Sequence, residues 1–382
     1  MLTRRLVYCL LSLFLICPAV MADQFSIRAS EKGFNPAEIE DLRAKSKLEG
    51  FSELEYKQRY NGPIIDVLDH THRYGFETKE RHENLPTGKD LVKIRKTAGV
   101  KHTIMANRPN SYRAIKKGNS PEDPITFASH FESVSALCPA DFIALAAKGY
   151  MELAEQDFNL NKNKLEKGLC LGFGEAGVIH YNKSLKVPDQ GKSVRQQGEI
   201  LSQLDNSYII DMLKIANKYK KVVHIHIEPN FSPTGVNRED EVVKFHKNSC
   251  TTYKNVKFVL SHNGLLPPKM LGEIFNYCKN VFTQFKIMYG RWGVYWKYHD
   301  LNIINDFDLK LHKRWAHIIK LHSDRFMFGV GFKIRRSKNI SYEETIRMAR
   351  EVIAGLDPDI QRKIMFDNAN RIYDLRINWQ PH

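Results

Sequence analysis

Past its first residues the chain has no apolar run approaching the ~20 residues that a membrane-spanning helix needs, which argues against a span in the mature protein. It has no internal repeat and no low-complexity tract, so solenoid, fibrous and linker classes are set aside. None of its six cysteines forms a CxxC pair, which removes the usual redox and zinc-ribbon spacings. Acidic residues are outnumbered, 43 Asp and Glu against 58 Lys and Arg, giving a net charge of +15. Such a surface attracts anions, yet no Lys/Arg block is dense enough to read as a nucleic-acid tail.

What the chain does have begins with a targeting pattern. Arg4 and Arg5 precede an apolar run, Leu6 to Ile16, and the small-residue site Val20-Met21-Ala22. This reads as a signal peptide over residues 1–22 and predicts a periplasmic or secreted protein. Ile16 before Cys17 lacks the small residue of a lipoprotein signal, so free export is expected. Cleavage leaves about 360 residues, a normal length for one α/β barrel with insertions. Cys138, Cys170, Cys250 and Cys278 remain, without a legible pairing. Cys170 falls in an expected strand and is read as a free core thiol.

Residues 23–61 form a polar, helical leader expected to pack on the outside of the body, residues 62–382. From Gly62 onward, short β-branched runs alternate with longer helical patterns, the rhythm of βα units around a parallel sheet. The expected strands are Ile64 to Leu68, His102 to Ala106, Ile125 to Ala128, Leu169 to Phe173, Val222 to Ile227, Lys257 to Leu260, Val281 to Phe285 and Phe326 to Val330. Expected helices include Lys89 to Ala98, Asp141 to Asp157, Ser207 to Lys218 behind a capping Asn206, and Pro268 to Cys278. The fold class predicted is α/β, a (β/α)8 TIM barrel with an N-terminal helical leader.

Chemistry gathers at the ends of these strands. His70 and His72 end the first, two residues apart and so on one face. With 15 histidines in the chain, such a pair arises by chance about half a time per sequence of this length, so its position at a strand end is what counts. Glu175, between glycines after the fourth strand, is a candidate bridging carboxylate, although a solvated turn glutamate reads the same way. His224, His226 and Glu228 share the inner face of the fifth strand, and His262 closes the sixth. A lone inward histidine is usually core; imidazoles and a carboxylate at four strand ends predict a site for one or two divalent ions, Zn foremost.

These residues resemble the amidohydrolase superfamily, whose barrels carry HxH after the first strand, an acidic or carboxylated-lysine bridge after the fourth, and single histidines after the fifth and sixth. The resemblance runs from Gly62 to Leu375 and includes Gly174-Glu175-Ala176-Gly177, Ser261-His262-Asn263-Gly264 and Asn368-Ala369-Asn370-Arg371. The fourth-strand segment is similar to TatD-like deoxyribonucleases; the eighth-strand and terminal segments look more like the group containing lactonases and decarboxylases. The resemblance implies His70, His72, Glu175, His226 and His262 as metal ligands. One departure stands out: Gly331 replaces the aspartate that the family carries after its eighth strand as metal ligand and proton acceptor.

The reading implied is an exported metal-dependent hydrolase acting on an ester, lactone or amide. With Gly331 in that position, the proton must leave through His262, His224 or Glu228, or to bulk water. Lys286, Lys333, Arg335 and Arg336, beyond the seventh and eighth strands, are candidates for holding an anionic small-molecule substrate, and read equally as a solvated basic rim. Trp292, Tyr295, Trp296 and Tyr298 could wall the pocket or pack outside it. Two alternatives remain: a TatD-like phosphoesterase or nuclease, which makes nucleic acid a less favoured partner, and a barrel that binds metal or anion without catalysis.

Overall fold

The structure, a computed structural model, describes residues 57–70, 88–109, 123–179, 204, 206–229, 237–286, 311–331 and 341–379. The segments expected to be the signal and most of the leader lie outside the described residues, as do His72, Lys333, Arg335, Arg336, Trp292, Tyr295, Trp296 and Tyr298.

In chain order the elements are β1 (Ile64–His70), α1 (Gly88–Thr97), β2 (Val100–Ala106), α2 (Pro124–Ala128), β3 (Val134–Ala136), α3 (Asp141–Ala147), α4 (Met151–Glu166), β4 (Gly172–Ile179), α5 (Ser207–Lys218), β5 (Val222–Ile227), α6 (Glu239–Thr252), β6 (Lys257–Leu260), α7 (Pro268–Tyr277), β7 (Val281–Phe285), α8 (Lys313–Leu321), β8 (Phe326–Phe328) and α9 (Tyr342–Ile353). Every strand pair is parallel, in the orders β1-β2-β3 and β4-β5-β6-β7-β8. Backbone bonds join the two runs on both sides. Leu171 N donates to Ala136 O at 2.9 Å, Cys138 N to Gly172 O at 2.8 Å and Gly174 N to Cys138 O at 3.0 Å, bridging β3 to β4. Gly331 N donates to Leu68 O at 2.6 Å, joining the end of β8 to β1. The chain folds as a TIM barrel.

Period-two alternation sorts each strand onto two faces. Ile64, Val223, Phe258, Phe326 and Phe328 pack with helix residues in the outer layer. Their neighbours Ile65, Val222, Val259 and Met327 meet inside the barrel. Phe366, Ile372 and Tyr373 from the C-terminal segment join that inner cluster and close the mouth at the strands' amino ends. The opposite mouth is left for chemistry, as the barrel geometry favours.

Four expectations are corrected. Ile125 to Ala128 is not a strand; it lies in α2, because Asp123 caps Ile125 N and Pro124 occupies the first turn, and the third strand is Val134–Ala136. The fourth strand starts later than Leu169 and runs to Ile179, so Glu175 sits inside it rather than after it. Cys170 is not a free thiol: it is bonded to Cys138, and Cys250 to Cys278. The first bridge ties the β3 end to the residues entering β4, the second ties α6 to the end of α7. The helix expected over Asp141 to Asp157 divides at Lys148–Tyr150, where Gly149 takes φ +77°. No described helix is long and apolar enough to cross a membrane.

Candidate metal centre

Glu175 projects from the middle of β4 and is almost fully buried. Its approach to β5 depends on Gly174, where a side-chain carbon would stand 2.7 Å from the Cβ of His224. Three imidazoles surround the carboxylate. His226 Nδ1 lies 2.8 Å from Glu175 Oε1, His70 Nε2 3.6 Å from Oε2 and His262 Nε2 3.7 Å from Oε1. Ligand atoms of Glu175, His226 and His262 all fall within 4.8 Å of one another.

Surrounding oxygens fix how the rings face. His70 Nδ1 is 3.3 Å from the carbonyl oxygen of Ala106, which can only accept, so in the neutral ring this nitrogen carries the proton and Nε2, on the Glu175 side, is the atom that could ligate an ion. The backbone of His70 is tied in turn: its N–H donates to Asp69 Oδ1 at 2.7 Å, and Asp69 is ion-paired with buried Arg95. His262 lies in the turn Ser261–Leu265 after β6 with left-handed backbone, φ 55°. Its N–H donates to Gln284 Oε1 at 2.8 Å, and its Nδ1 lies 2.9 Å from the same oxygen. Gln284 Nε2 donates to Gly329 O at 2.5 Å, so two backbone groups set the amide's orientation. His262 Nδ1 must therefore be the protonated nitrogen, leaving Nε2 toward Glu175. Such support from behind orients ligand imidazoles at metal sites.

The electrostatics are strongly coupled. Burial alone would raise the Glu175 pKa, but His226, His70 and His262 outweigh it and hold the carboxyl well below the usual range. Burial would likewise lower His226, yet Glu175 and Glu228 raise it; Glu228 Oε1 is 2.5 Å from its Nε2. His224, one inward step below His226, is fully buried, and among the described residues neither ring nitrogen has a hydrogen-bond partner; burial pushes its pKa down to about 4. Leaving a buried polar group unsatisfied costs about 1–3 kcal/mol.

Two imidazoles and one carboxylate, those of His226, His262 and Glu175, meet the spacing of a metal site, with His70 facing the other carboxylate oxygen, and such a donor set fits Zn or another first-row divalent ion. Of the residues that sequence reasoning put forward, the structure brings together His70, Glu175, His226 and His262, with Glu228 and His224 beside and below His226. Lys286 stands just past β7, its Nζ 3.5 Å from Gly331 O. Gln284, Asp69 and Arg95 were not foreseen. The signal for Gln284 was a polar residue on the inner face of β7, two past the inward Phe282.

No family model matches the sequence, and no curated protein matches it either. Solved structures do resemble it. An apo protein from Agrobacterium tumefaciens is 12% identical, with a TM-score of 0.51 over 83% of this chain and 97% of that one. A 2,6-dihydroxybenzoate decarboxylase from Rhizobium is 12% identical, with a TM-score of 0.47 over 82% and 99%. An amidohydrolase from Burkholderia multivorans with bound Zn is 12% identical, with a TM-score of 0.44 over 82% and 99%. The first likeness establishes a shared fold over most of both chains and leaves the reaction open.

Proposed function

We propose that this protein is a metal-dependent hydrolase of the amidohydrolase type, acting on an ester, lactone or amide of a small anionic molecule. The observation that carries the reading is the convergence of His70, His226 and His262 on the buried carboxylate of Glu175. His72 is proposed as a further ligand. When bound, one or two divalent ions supply Lewis acidity, polarising a carbonyl oxygen and making water a better nucleophile.

The chain's own residues supply orientation and proton handling. Glu228 holds His226 from behind, and Gln284 keeps the proton of His262 on Nδ1. Because Gly331 offers no side chain and His262 Nε2 is taken up as a ligand, the proton from water is proposed to leave to bulk water at the mouth. His224, held neutral and enclosed below His226, fits a role in shaping the floor better than proton exchange with solvent. Lys286, Lys333, Arg335 and Arg336 are proposed to receive the substrate's anionic group. Two disulfides, with the N-terminal signal pattern, support an exported protein in an oxidising compartment.

A second reading draws on the same Gly331: a barrel that binds metal and anion without turnover. Screening the metal-loaded protein against an aryl ester, a γ-lactone, an N-acyl amide and a bis-aryl phosphodiester, with and without chelator, separates the two. Chelator-sensitive cleavage of a carbonyl substrate is expected. Full metal content with no cleavage would favour the second reading, and phosphodiester cleavage that weakens steeply with salt would favour a nuclease.

A further inference from the structure

Two glycines, Gly329 and Gly331, follow the end of the eighth strand. The space beside each is filled by a side chain from the end of β7 or just past it. A side-chain carbon on Gly329 would stand 2.7 Å from Gln284 Cγ, and one on Gly331 would stand 2.7 Å from Lys286 Nζ. Gln284 of β7 and Lys286 just past it thus lie against the residues that follow β8, one on each glycine. The lower delivers an amide to His262; the upper delivers an ammonium to the rim of the metal centre. The position above Gly331 is also 3.6 Å from His262 Cε1, so this ammonium lies next to a proposed ligand ring.

We propose that Lys286, seated over Gly331, is an anion subsite that binds a carboxylate of the substrate beside the metal centre. The inference rests on the reading of His70, Glu175, His226 and His262 as ligands and adds the substrate class. Charge favours it. The two positive charges of a divalent ion would be matched by the carboxylates of Glu175 and Glu228, so the Lys286 ammonium, on the same side as His262, is the group that would attract an anion. An ammonium donates to a carboxylate in a strong, charge-assisted hydrogen bond. Glycine suits position 331 because its φ of +54° disfavours other residues, and a side-chain carbon there would displace the Lys286 ammonium from its place.

The test uses the full zinc-loaded protein with benzoate and its neutral counterpart benzamide as probes, measured by calorimetry. Zinc content is determined for each sample. The wild type is expected to bind benzoate in clear preference to benzamide. Lys286→Met is expected to lose about tenfold or more of benzoate affinity at unchanged zinc content, and Lys286→Arg to recover part of it. Gly331→Ala, which pushes the ammonium from its seat, is expected to weaken benzoate in the same sense. Zinc-loaded K286M that binds benzoate as tightly as the wild type overturns the subsite, as does a wild type that does not distinguish the two probes. Wild-type protein that takes up no zinc overturns the metal reading instead, so the two failures are told apart.

Discussion

One amide oxygen, Gln284 Oε1, receives both the backbone N–H of His262 at 2.8 Å and the ring Nδ1 at 2.9 Å. A single side chain on β7 thereby sets the path of the turn after β6 and the tautomer of the imidazole it carries. Gln284→Leu is expected to lower zinc affinity about 10- to 100-fold, because the ring loses the acceptor that keeps its other nitrogen open. Gln284→Glu keeps that acceptor and should retain most of the affinity. Competition with a chromophoric chelator reads both; equal losses in the two variants would contradict the assignment.

Gly329 makes the amide's position possible. Gly329→Ala forces a methyl to within 2.7 Å of Gln284 Cγ in a fully enclosed space. A loss of about 1–3 kcal/mol in urea denaturation is expected, with weaker zinc binding. Unchanged stability and unchanged zinc affinity together would show that the contact is relieved without consequence.

How much of this was legible beforehand differs by residue. Helix α5 could be bounded from sequence because Asn206 caps it and its apolar positions recur at helical spacing. The third strand could not, because Ile125-Thr126-Phe127 is a β-like run that Asp123 and Pro124 nevertheless start as a helix. Glu175 and the histidines stood out since charged or ligating groups interrupt apolar strands. Gln284 is neutral and drew no such attention. Cys138 and Cys170 are brought together by neighbouring strands, and no local pattern encodes that pairing.

The pairing predicts a thiol count. Denatured without reductant, protein cleaved after Ala22 as proposed should expose no free thiol, since Cys9 and Cys17 precede that site and the other four are bonded. Two thiols would mean that the signal segment is retained. Replacing Cys138 and Cys170 together by alanine should cost about 2–4 kcal/mol.

Stability should depend on pH through Asp66, which is buried and accepts from Val330 N at 2.9 Å, Leu68 N at 3.2 Å and Tyr342 Oη at 2.9 Å. Burial first, and then the Asp69 carboxylate, push its pKa up to about 7 from an ordinary 3.8. A raised acid favours the fold while protonated, so its contribution is full below pH 3.8 and is lost as pH rises through 7. Buried His102 and His246, lowered by burial to about 4 and about 3, act in the opposite sense: their neutral forms favour the fold above pH 6.5, and that is lost on acidification. Asn at 66 imitates the protonated acid. Asp66→Asn should therefore gain stability relative to the wild type between pH 5 and pH 7.5, and an identical difference at both pH values would refute the role given to Asp66.

The most direct test of the whole account is the zinc-to-protein ratio of the wild type beside that of Glu175→Gln, each dialysed against the same dilute zinc buffer. The account predicts one or two ions in the wild type and loss of at least one in the variant, with the fold retained by circular dichroism. A metal-free wild type, or a variant that holds as much zinc as its parent, would contradict it.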